Sequence, residues 1–343
     1  MVAGSDGPGV RVRRAGERGA GYRASGSERA SLGQSPSAPS WDGSHSQPLS
    51  SLLTVLLIRI LTAAALFSLL FTTGLRLSLR EIHSAVPLGR RFLRLAGLQF
   101  GVIPILTVLA ARVFRVPPEV SMAMLLLAAS PFAPVVPVFT RMARGDLAMA
   151  AGLTAVFPIL CSVLTPLVCW AGALFLPPVG DLRFEVVPML ATLLVTAPLP
   201  LVLGLWMRAR FPEVSDRIVG PVDIAAQAVG AVSLVYVVAS EADAVLSMGL
   251  PGLAAMAFVA EVSWVLGWLG ARGQPARGIV LGLGALNRNM ALALLVAAAS
   301  FPGSGIVAAV ASLGLLLIAL GLVHVGIWRW THAGCESPPI RGM

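Results

Sequence analysis

The sequence contains no lysine and has little charge of either sign. Its 25 basic residues are all arginine, and charged residues make up 12% of the 343 positions. Soluble domains carry about 25% charged residues, so this composition excludes an ordinary soluble protein. Hydrophobic residues reach 57% and the mean hydropathy is +0.85, which is typical of a chain that crosses a membrane several times. In this setting the formal net charge of +9 does not indicate a nucleic-acid partner.

The signatures of soluble enzymes are also missing. The sequence has no HExxH motif, no GxSxG motif and no glycine-rich phosphate loop. The histidines lack metal-ligand spacing, and the three cysteines form no CxxC pair, which favours structural thiols. We therefore predict that the chain is not an enzyme and holds no metal or other cofactor.

Residues 1–48 differ from the rest of the chain. They are rich in Gly, Ser and Arg and nearly free of aliphatic residues, a composition that is typical of disorder. No compact apolar core with a cleavage site follows their arginines closely, so they do not form a signal peptide. Two interpretations stay open. The segment is dispensable or results from a start codon assigned too early, or it is a tail that binds anionic lipid or nucleic acid.

A transmembrane domain is predicted over residues 49–330, followed by a short cytoplasmic tail at 331–343. Nine apolar segments in this domain are long enough to cross the hydrocarbon core. Their approximate limits are 52–75, 92–112, 119–142, 147–172, 186–207, 219–240, 245–267, 277–300 and 304–328. Most loop arginines fall on one side, so the positive-inside rule places the C-terminus in the cytoplasm and the N-terminus outside. The expected fold is an all-α, multi-pass protein of the cell membrane.

The third segment cannot be one regular helix. It carries Pro131, Pro134 and Pro137 near its middle. A proline inside a helix removes one hydrogen bond and clashes with the preceding turn, which costs about 3 kcal/mol. Irregular backbone at membrane depth is tolerated only inside protein or beside a water-filled cavity. The alternative is a kinked helix with a purely structural role.

The eighth segment is interrupted by charge instead of proline. The stretch GALNRNMALALLVAAAS places Asn287, Arg288 and Asn289 between apolar neighbours. A central arginine costs roughly 3 kcal/mol on insertion scales, so its cost must be balanced by bound partners. Paired interruptions in two halves of a chain indicate a transporter with inverted repeats, here about 52–172 and 186–328, and a midplane site. Helix N-termini at the interruptions would add positive potential, which suits an anion.

Four segments in order resemble the bile acid:sodium symporter family. They are LLFTTGLRLSLREI (69–82), LQFGVIPIL (98–106), AASPFAPVVPVFTRMARGDLAMAAGLT (128–154) and ALNRNMALALLVA (285–297). The resemblance covers about residues 52–328. It implies a panel domain, a core domain with two discontinuous crossing helices, and alternating access for organic anions.

The resemblance also shows that most of the family's sodium ligands are not retained. The family's shared glutamate falls on Gly284, and its Gln-Asn pair falls on Arg288 and Asn289. The other matching positions are Val136, Pro137, Ala150, Thr154 and Gln99. Because sodium is a hard cation held by oxygen ligands, a site that gains a guanidinium and loses its carboxylate should repel it. Sodium is therefore a doubtful coupling ion.

These observations lead to one hypothesis for the site. We expect Arg288 to take the electrostatic place of bound sodium, and Gln99 and Asn289 to hydrogen-bond the guanidinium or the substrate. The remaining expected substrate-binding residues are Pro134, Pro137, Thr154 and Asn287. Transport would then be uniport, exchange or coupled to protons.

Glu261, in the seventh segment, is expected to act as the ion-pair partner of Arg288 or as a proton carrier. The predicted partners are a small organic anion and the lipid bilayer, without nucleic acid, and no oligomeric state is predicted. Three alternatives remain open: a structural ion pair at Arg288, a non-transporting sensor or scaffold on a transporter fold, and a passive anion channel.

Overall fold

The computed structural model describes residues 49–86, 89–179, 186–240, 249–302 and 304–332. The regular structure of these residues is helical, which agrees with the predicted all-α membrane fold. The predicted tail at 1–48 and nearly all of the predicted tail at 331–343 lie outside the described residues.

Fourteen α-helices are described, numbered here along the chain, with one π-helical turn at Leu98–Val102. They are α1 (Leu49–Arg76), α2 (Leu79–Ala85), α3 (Arg90–Gly97), α4 (Ile103–Val113), α5 (Pro118–Ala128), α6 (Val136–Met142), α7 (Leu147–Ala173), α8 (Val186–Thr196), α9 (Pro198–Arg210), α10 (Pro212–Ser240), α11 (Leu250–Leu269), α12 (Pro275–Leu286), α13 (Met290–Ser300) and α14 (Ile306–Thr331).

Seven helical stretches in the described residues are long and apolar enough to span a membrane. They are Leu56–Arg76, Arg90–Val113, Leu147–Ala173, Val186–Arg210, Pro212–Ser240, Leu250–Leu269 and Ile306–Thr331. Two further apolar segments, 118–142 and 275–300, each contain two shorter helices. One crossing by each of these two segments brings the number of membrane passes to nine, the number predicted from the sequence.

The interruptions follow directly from the local sequence. In the segment 118–142, α5 ends at Ala128 and α6 begins at Val136. Pro137 lies in the first turn of α6, where the missing N–H has no helical partner in any case. In the segment 275–300, Asn289 caps α13, because its side-chain oxygen accepts a hydrogen bond from the Leu292 amide at 3.1 Å.

The two interrupted segments lie in the core of the described part of the chain. All residues from Val120 to Ala128 in α5 and from Gly278 to Leu286 in α12 are buried. Helices that are apolar on every side are typical of such central positions. By contrast, α8 and α10 expose apolar side chains such as Val187 and Val235, a surface suited to lipid.

Close glycine contacts hold the outer helices together. A Cβ on Gly74 of α1 would lie 2.4 Å from the Leu201 oxygen, and one on Gly204 of α9 would lie 2.3 Å from the Phe71 oxygen. The backbones of α1 and α9 therefore touch, as small residues permit in membrane helices.

One predicted helix boundary is corrected by the structure. The sixth apolar segment is predicted at 219–240, but α10 begins at Pro212. The polar residues after Pro212 continue the helix beyond the apolar stretch that the sequence reveals. Asp223 therefore lies inside α10 and forms an ion pair with Arg76 of α1. Asp146 precedes α7 and caps it by accepting a hydrogen bond from the Met149 amide at 3.0 Å.

Candidate functional site

The two interruptions contact each other through their backbones. Pro131 and Arg288 form an isolated antiparallel β-bridge. The Asn289 amide donates to the Ser130 oxygen at 2.7 Å, and the Ala133 amide donates to the Asn287 oxygen at 3.2 Å. Backbone groups released from a helix in a membrane need partners inside the protein. Each interruption thus supplies partners for the other.

Arg288 lies at this contact and is only 4% exposed, so its guanidinium does not face lipid. Its Nη1 donates to Oε1 of Gln99 at 2.8 Å and to the Ala128 oxygen at 3.4 Å. Ala128 is the last residue of α5. The cation therefore sits at the carbonyl end of a helix, where the helix dipole stabilises positive charge.

Gln99 reaches this position from the π-helical turn Leu98–Val102 and is completely buried. A π-helical turn adds one residue to the helix and is often found at functional sites. The turn joins α3 to α4 and brings Gln99 to the meeting point of the two interruptions. The hydrogen bond expected between Gln99 and the Arg288 guanidinium is present.

Several buried polar atoms at this contact have no hydrogen-bond partner among the described residues. Three are donors: Nη2 of Arg288, Nε2 of Gln99 and Nδ2 of Asn289. The Oδ1 of Asn287 is an acceptor in the same state. Buried polar groups nearly always have partners in folded proteins. A cluster of unpaired donors around a cation is the arrangement that an anionic ligand would complete.

Phe132 is part of the site although the sequence reading did not single it out. It has a backbone φ of +58°, which is rare for a bulky residue and is found preferentially at functional sites. Its buried ring stacks on Phe157 with 4.4 Å between centroids. The one sequence signal was its place directly after Pro131 in a proline-interrupted segment.

The Phe132 ring also fills the space beside Gly284. A Cβ at Gly284 would lie 2.1 Å from Cε1 of Phe132. The resemblance in the sequence predicts the family's shared glutamate at this position. No side chain fits there unless Phe132 moves, so the described residues do not fit a carboxylate ligand for sodium at this point.

The other predicted site residues take different places. Pro134 lies in the non-helical connection after α5 and is half-buried, as is Pro137 in the first turn of α6. Thr154 is buried in α7, and its hydroxyl donates to the Ala150 oxygen at 2.8 Å. Asn287 donates from Nδ2 to the Leu283 oxygen at 3.2 Å. Thr154 is thus engaged by its own helix, and none of its hydrogen bonds reaches the guanidinium.

Glu261 is not the ion-pair partner of Arg288, and that prediction is wrong. Its Oε2 lies 3.2 Å from Nε2 of His324 on α14. The carboxylate is thus paired with the neighbouring helix α14 and not with Arg288. Arg288 has no carboxylate partner among the described residues.

Arg59 supports the second interrupted segment from outside. Its Nε donates to the Ala298 oxygen at 2.7 Å, and its Nη2 donates to the Ala299 oxygen at 3.3 Å. These carbonyls belong to the last turn of α13. The side chain therefore caps that helix with positive charge at its negative end.

Comparisons with known proteins point to a family of transporters. The model of the sodium bile acid symporter family matches residues 63–248, a range that includes Gln99 and the first interruption. A probable chloroplastic sodium/metabolite cotransporter of Arabidopsis thaliana, BASS1, is 23% identical over 263 residues. The match covers 75% of this chain and 63% of that protein, so the chain spans under two thirds of the length of that relative.

Proposed function

The chain belongs to the sodium bile acid symporter family, and we propose that it is a secondary transporter of small organic anions. The family is one of transporters, which agrees with the expectation that the chain is not an enzyme. The chain is a multi-pass membrane protein with seven helices suited to spanning a bilayer in its described part. One observation carries the proposal: a buried arginine with no carboxylate partner among the described residues lies where the two interrupted segments meet.

The electrostatics of Arg288 support an anionic substrate. A buried charge is costly unless it is paired and fully hydrogen-bonded. Gln99 and the Ala128 carbonyl satisfy one nitrogen of the guanidinium, while Nη2 is unpaired. A carboxylate or sulfonate that binds in bidentate fashion would neutralise the charge and use that donor.

The amides beside Arg288 would orient the substrate. Nδ2 of Asn289 cannot accept a hydrogen bond, and the side-chain oxygen of the same residue is engaged in capping α13. Gln99 holds the guanidinium through Oε1 and has Nε2 left to donate. The other residues proposed to line the site are Pro134, Pro137, Thr154 and Asn287. Such a site would suit amphipathic anions with an apolar body.

We propose that transport by this chain does not depend on sodium. The Arabidopsis relative carries sodium in its name, but the local chemistry here favours another arrangement. Phe132 occupies the space beside Gly284, and the guanidinium of Arg288 would repel a second cation at close range. A fixed positive charge therefore replaces a bound ion.

The two interrupted segments also support an alternating-access mechanism. In many transporters, paired discontinuous helices mark the midplane site and the boundary between inverted repeats. We assign this role to α5–α6 and α12–α13, with repeats of about 52–172 and 186–328. The proposed location is the cell membrane, with the C-terminus in the cytoplasm and the N-terminus outside.

A thermal-shift screen tests the proposal. The purified protein is heated with a panel of carboxylates and sulfonates that includes cholate, in buffer with and without sodium. We expect an anion to stabilise the wild-type protein in sodium-free buffer. This stabilisation should be lost in Arg288→Gln and kept in the control Arg210→Gln. Stabilisation that requires sodium, or that survives Arg288→Gln, would overturn it.

Flux measurements then separate transport from the alternatives. A sensor or scaffold would bind the stabilising anion without moving it across a proteoliposome membrane. A passive channel would give flux that does not saturate and shows no counterflow. Saturable counterflow is the result that the proposed mechanism requires.

A further inference from the structure

A pair of ionisable side chains lies inside the membrane-spanning helices, near the place where the two interrupted segments meet. That place is called the crossing below. Glu261 lies near the middle of α11, and Nε2 of His324 on α14 is 3.2 Å from its Oε2. The Glu261 side chain is 46% exposed and the His324 side chain 12% exposed. The pair thus reaches from the outer face of α11 towards the interior. Ionisable residues within membrane helices are costly and usually functional.

The hydrogen bonds fix how many protons this pair holds. Nδ1 of His324 lies 2.9 Å from the Leu320 oxygen, which can only accept, so Nδ1 carries a hydrogen. A hydrogen bond between Nε2 and the carboxylate would require one more proton, on the imidazole or on Glu261. Both arrangements have zero net charge. A second proton would make Glu261 a carboxylic acid beside an imidazolium, with a net charge of +1.

The pair is linked to the crossing through α14 and Trp264. Gly321 lies three residues before His324 on the same face of α14, and a Cβ there would be 2.7 Å from Nδ2 of Asn287. The Trp264 ring lies 4.5 Å from the His324 ring and packs on Gly282 of α12. His324 therefore lies one helical turn along α14 from Gly321, which contacts the side-chain amide of Asn287.

No other charged group competes for the pair in the described residues. The helices packed on α11 and α14 carry the following titratable or charged residues: Arg112, Glu119, Arg141, Glu213, Asp216, Arg217, Asp223, Tyr236 and Arg277. To these are added Arg329 at the end of α14 and Arg288 in the connection between α12 and α13. None of them forms a hydrogen bond or ion pair with Glu261 or His324. The charge of Arg288 is connected to the pair by the packed side chains of Asn287 and Trp264.

We propose that Glu261 and His324 form a proton-binding site coupled to Arg288, so that anion and proton are transported together. This rests on the proposed function and names its coupling ion. An anion at Arg288 cancels positive charge close to the pair, which favours uptake of the second proton. Because such coupling is reciprocal, the protonated pair binds the anion more tightly, and both leave together when the site opens to the other side.

The test measures proton binding directly and needs no identified substrate. Infrared difference spectra of the purified protein are recorded as the pH is varied. The carboxyl band of Glu261 and the imidazole band of His324 are identified by their loss in Glu261→Gln and in His324→Asn. Removing the guanidinium with Arg288→Gln mimics its neutralisation by an anion. This substitution should raise the pH at the midpoint of the change in the Glu261 and His324 bands by about half a unit or more. A shift of that size corresponds to about threefold tighter proton binding by the pair.

Matched variants make the result specific. Arg288→Lys keeps the charge and should leave the midpoint near that of the wild type. Arg59→Gln removes another intramembrane arginine, which binds the opposite end of α13, and should not change it. If Arg288→Gln does not fold, Asn287→Asp places a negative charge at the contact with Gly321 and should raise the midpoint in the same direction.

Two outcomes would overturn the inference. One is that no band assigned to the pair changes with pH, and the other is that the midpoint is the same in Arg288→Gln and Asn287→Asp as in the wild type. Either outcome leaves the anion screen untouched, because that screen reports on Arg288 alone. Conversely, a failed anion screen with a shifted midpoint would disprove anion binding at Arg288 and leave the proton site intact.

Discussion

Nη1 of Arg288 lies 2.8 Å from Oε1 of Gln99, although 189 residues separate the two in the chain. This hydrogen bond joins the second interrupted segment to the π-helical turn between α3 and α4. It holds the guanidinium in the core, close to the carbonyl end of α5. The bond places a fixed cation where the two interruptions meet, and the proposed function depends on this arrangement.

Gln99→Glu should convert the anion site into an internal ion pair. The new carboxylate would occupy the position of Oε1 and neutralise Arg288 without any ligand. We expect the unliganded protein to be at least as stable as the wild type, and anion binding to weaken by about tenfold or more. Thermal shift with a stabilising anion measures both effects. The control Gln274→Glu changes an exposed glutamine; equal weakening by both variants would contradict the prediction.

Gly284→Ala should destabilise the protein because the added methyl overlaps the Phe132 ring. Overpacking a buried site typically costs about 1–3 kcal/mol. The free energy of unfolding or the melting temperature in detergent measures this cost. Gly326→Ala is the matched control, because a Cβ there meets nothing within 4 Å. In Phe132→Leu the same Gly284→Ala change should cost less, and identical costs in both backgrounds would show that the two side chains do not interact.

Arg59→Gln should loosen the end of α13. It removes the cation that donates to the Ala298 and Ala299 oxygens, and hydrogen bonds from charged groups contribute about 1.5–3 kcal/mol. Hydrogen exchange of the amides that follow α13 measures the loss of protection. Arg80→Gln, an exposed change on α2, serves as the control. Unchanged exchange in Arg59→Gln would mean that the cap contributes nothing.

The short helix α2 should lose its N-terminal cap in acid. Its capping box joins Glu81 to the Ser78 amide at 2.7 Å and to the Ser78 hydroxyl at 2.8 Å. These hydrogen bonds, that of the backbone first, lower the pKa of Glu81 below its usual value. A lowered pKa means that the stabilisation is present above the usual pKa and is lost as the pH falls through the lowered one.

Hydrogen exchange of the α2 amides against pH measures that loss. Protection should decline in acid in the wild type, while Glu81→Gln should show weaker protection at neutral pH and little further change. A pH response of the same size in both proteins would assign it to another group.

The sequence predicted the architecture well because apolar segment length and proline are local signals. Pro131 and Pro134 forbid a continuous helix whatever surrounds them, and α5 indeed ends before them. The charged interruption at Arg288 was predicted in the same way, from the cost of a cation in an apolar run. The choice of Gln99 came from the family resemblance, since nothing local distinguishes a buried glutamine in an apolar segment.

The contacts between distant helices could not be read from the sequence. Glu261 was paired with Arg288 on charge alone, but its carboxylate is paired with His324. The contact of Phe132 with Gly284 depends on a positive φ that no residue type in that stretch requires. Both features arise from tertiary packing, which local patterns do not encode.

Anion counterflow in sodium-free proteoliposomes tests the central claim most directly. Vesicles are preloaded with the anion that stabilises the protein, and uptake of the labelled anion is compared between the wild type, Arg288→Lys and Arg288→Gln. The account predicts saturable counterflow in the wild type, reduced counterflow in Arg288→Lys and none in Arg288→Gln. Undiminished counterflow in Arg288→Gln would contradict it.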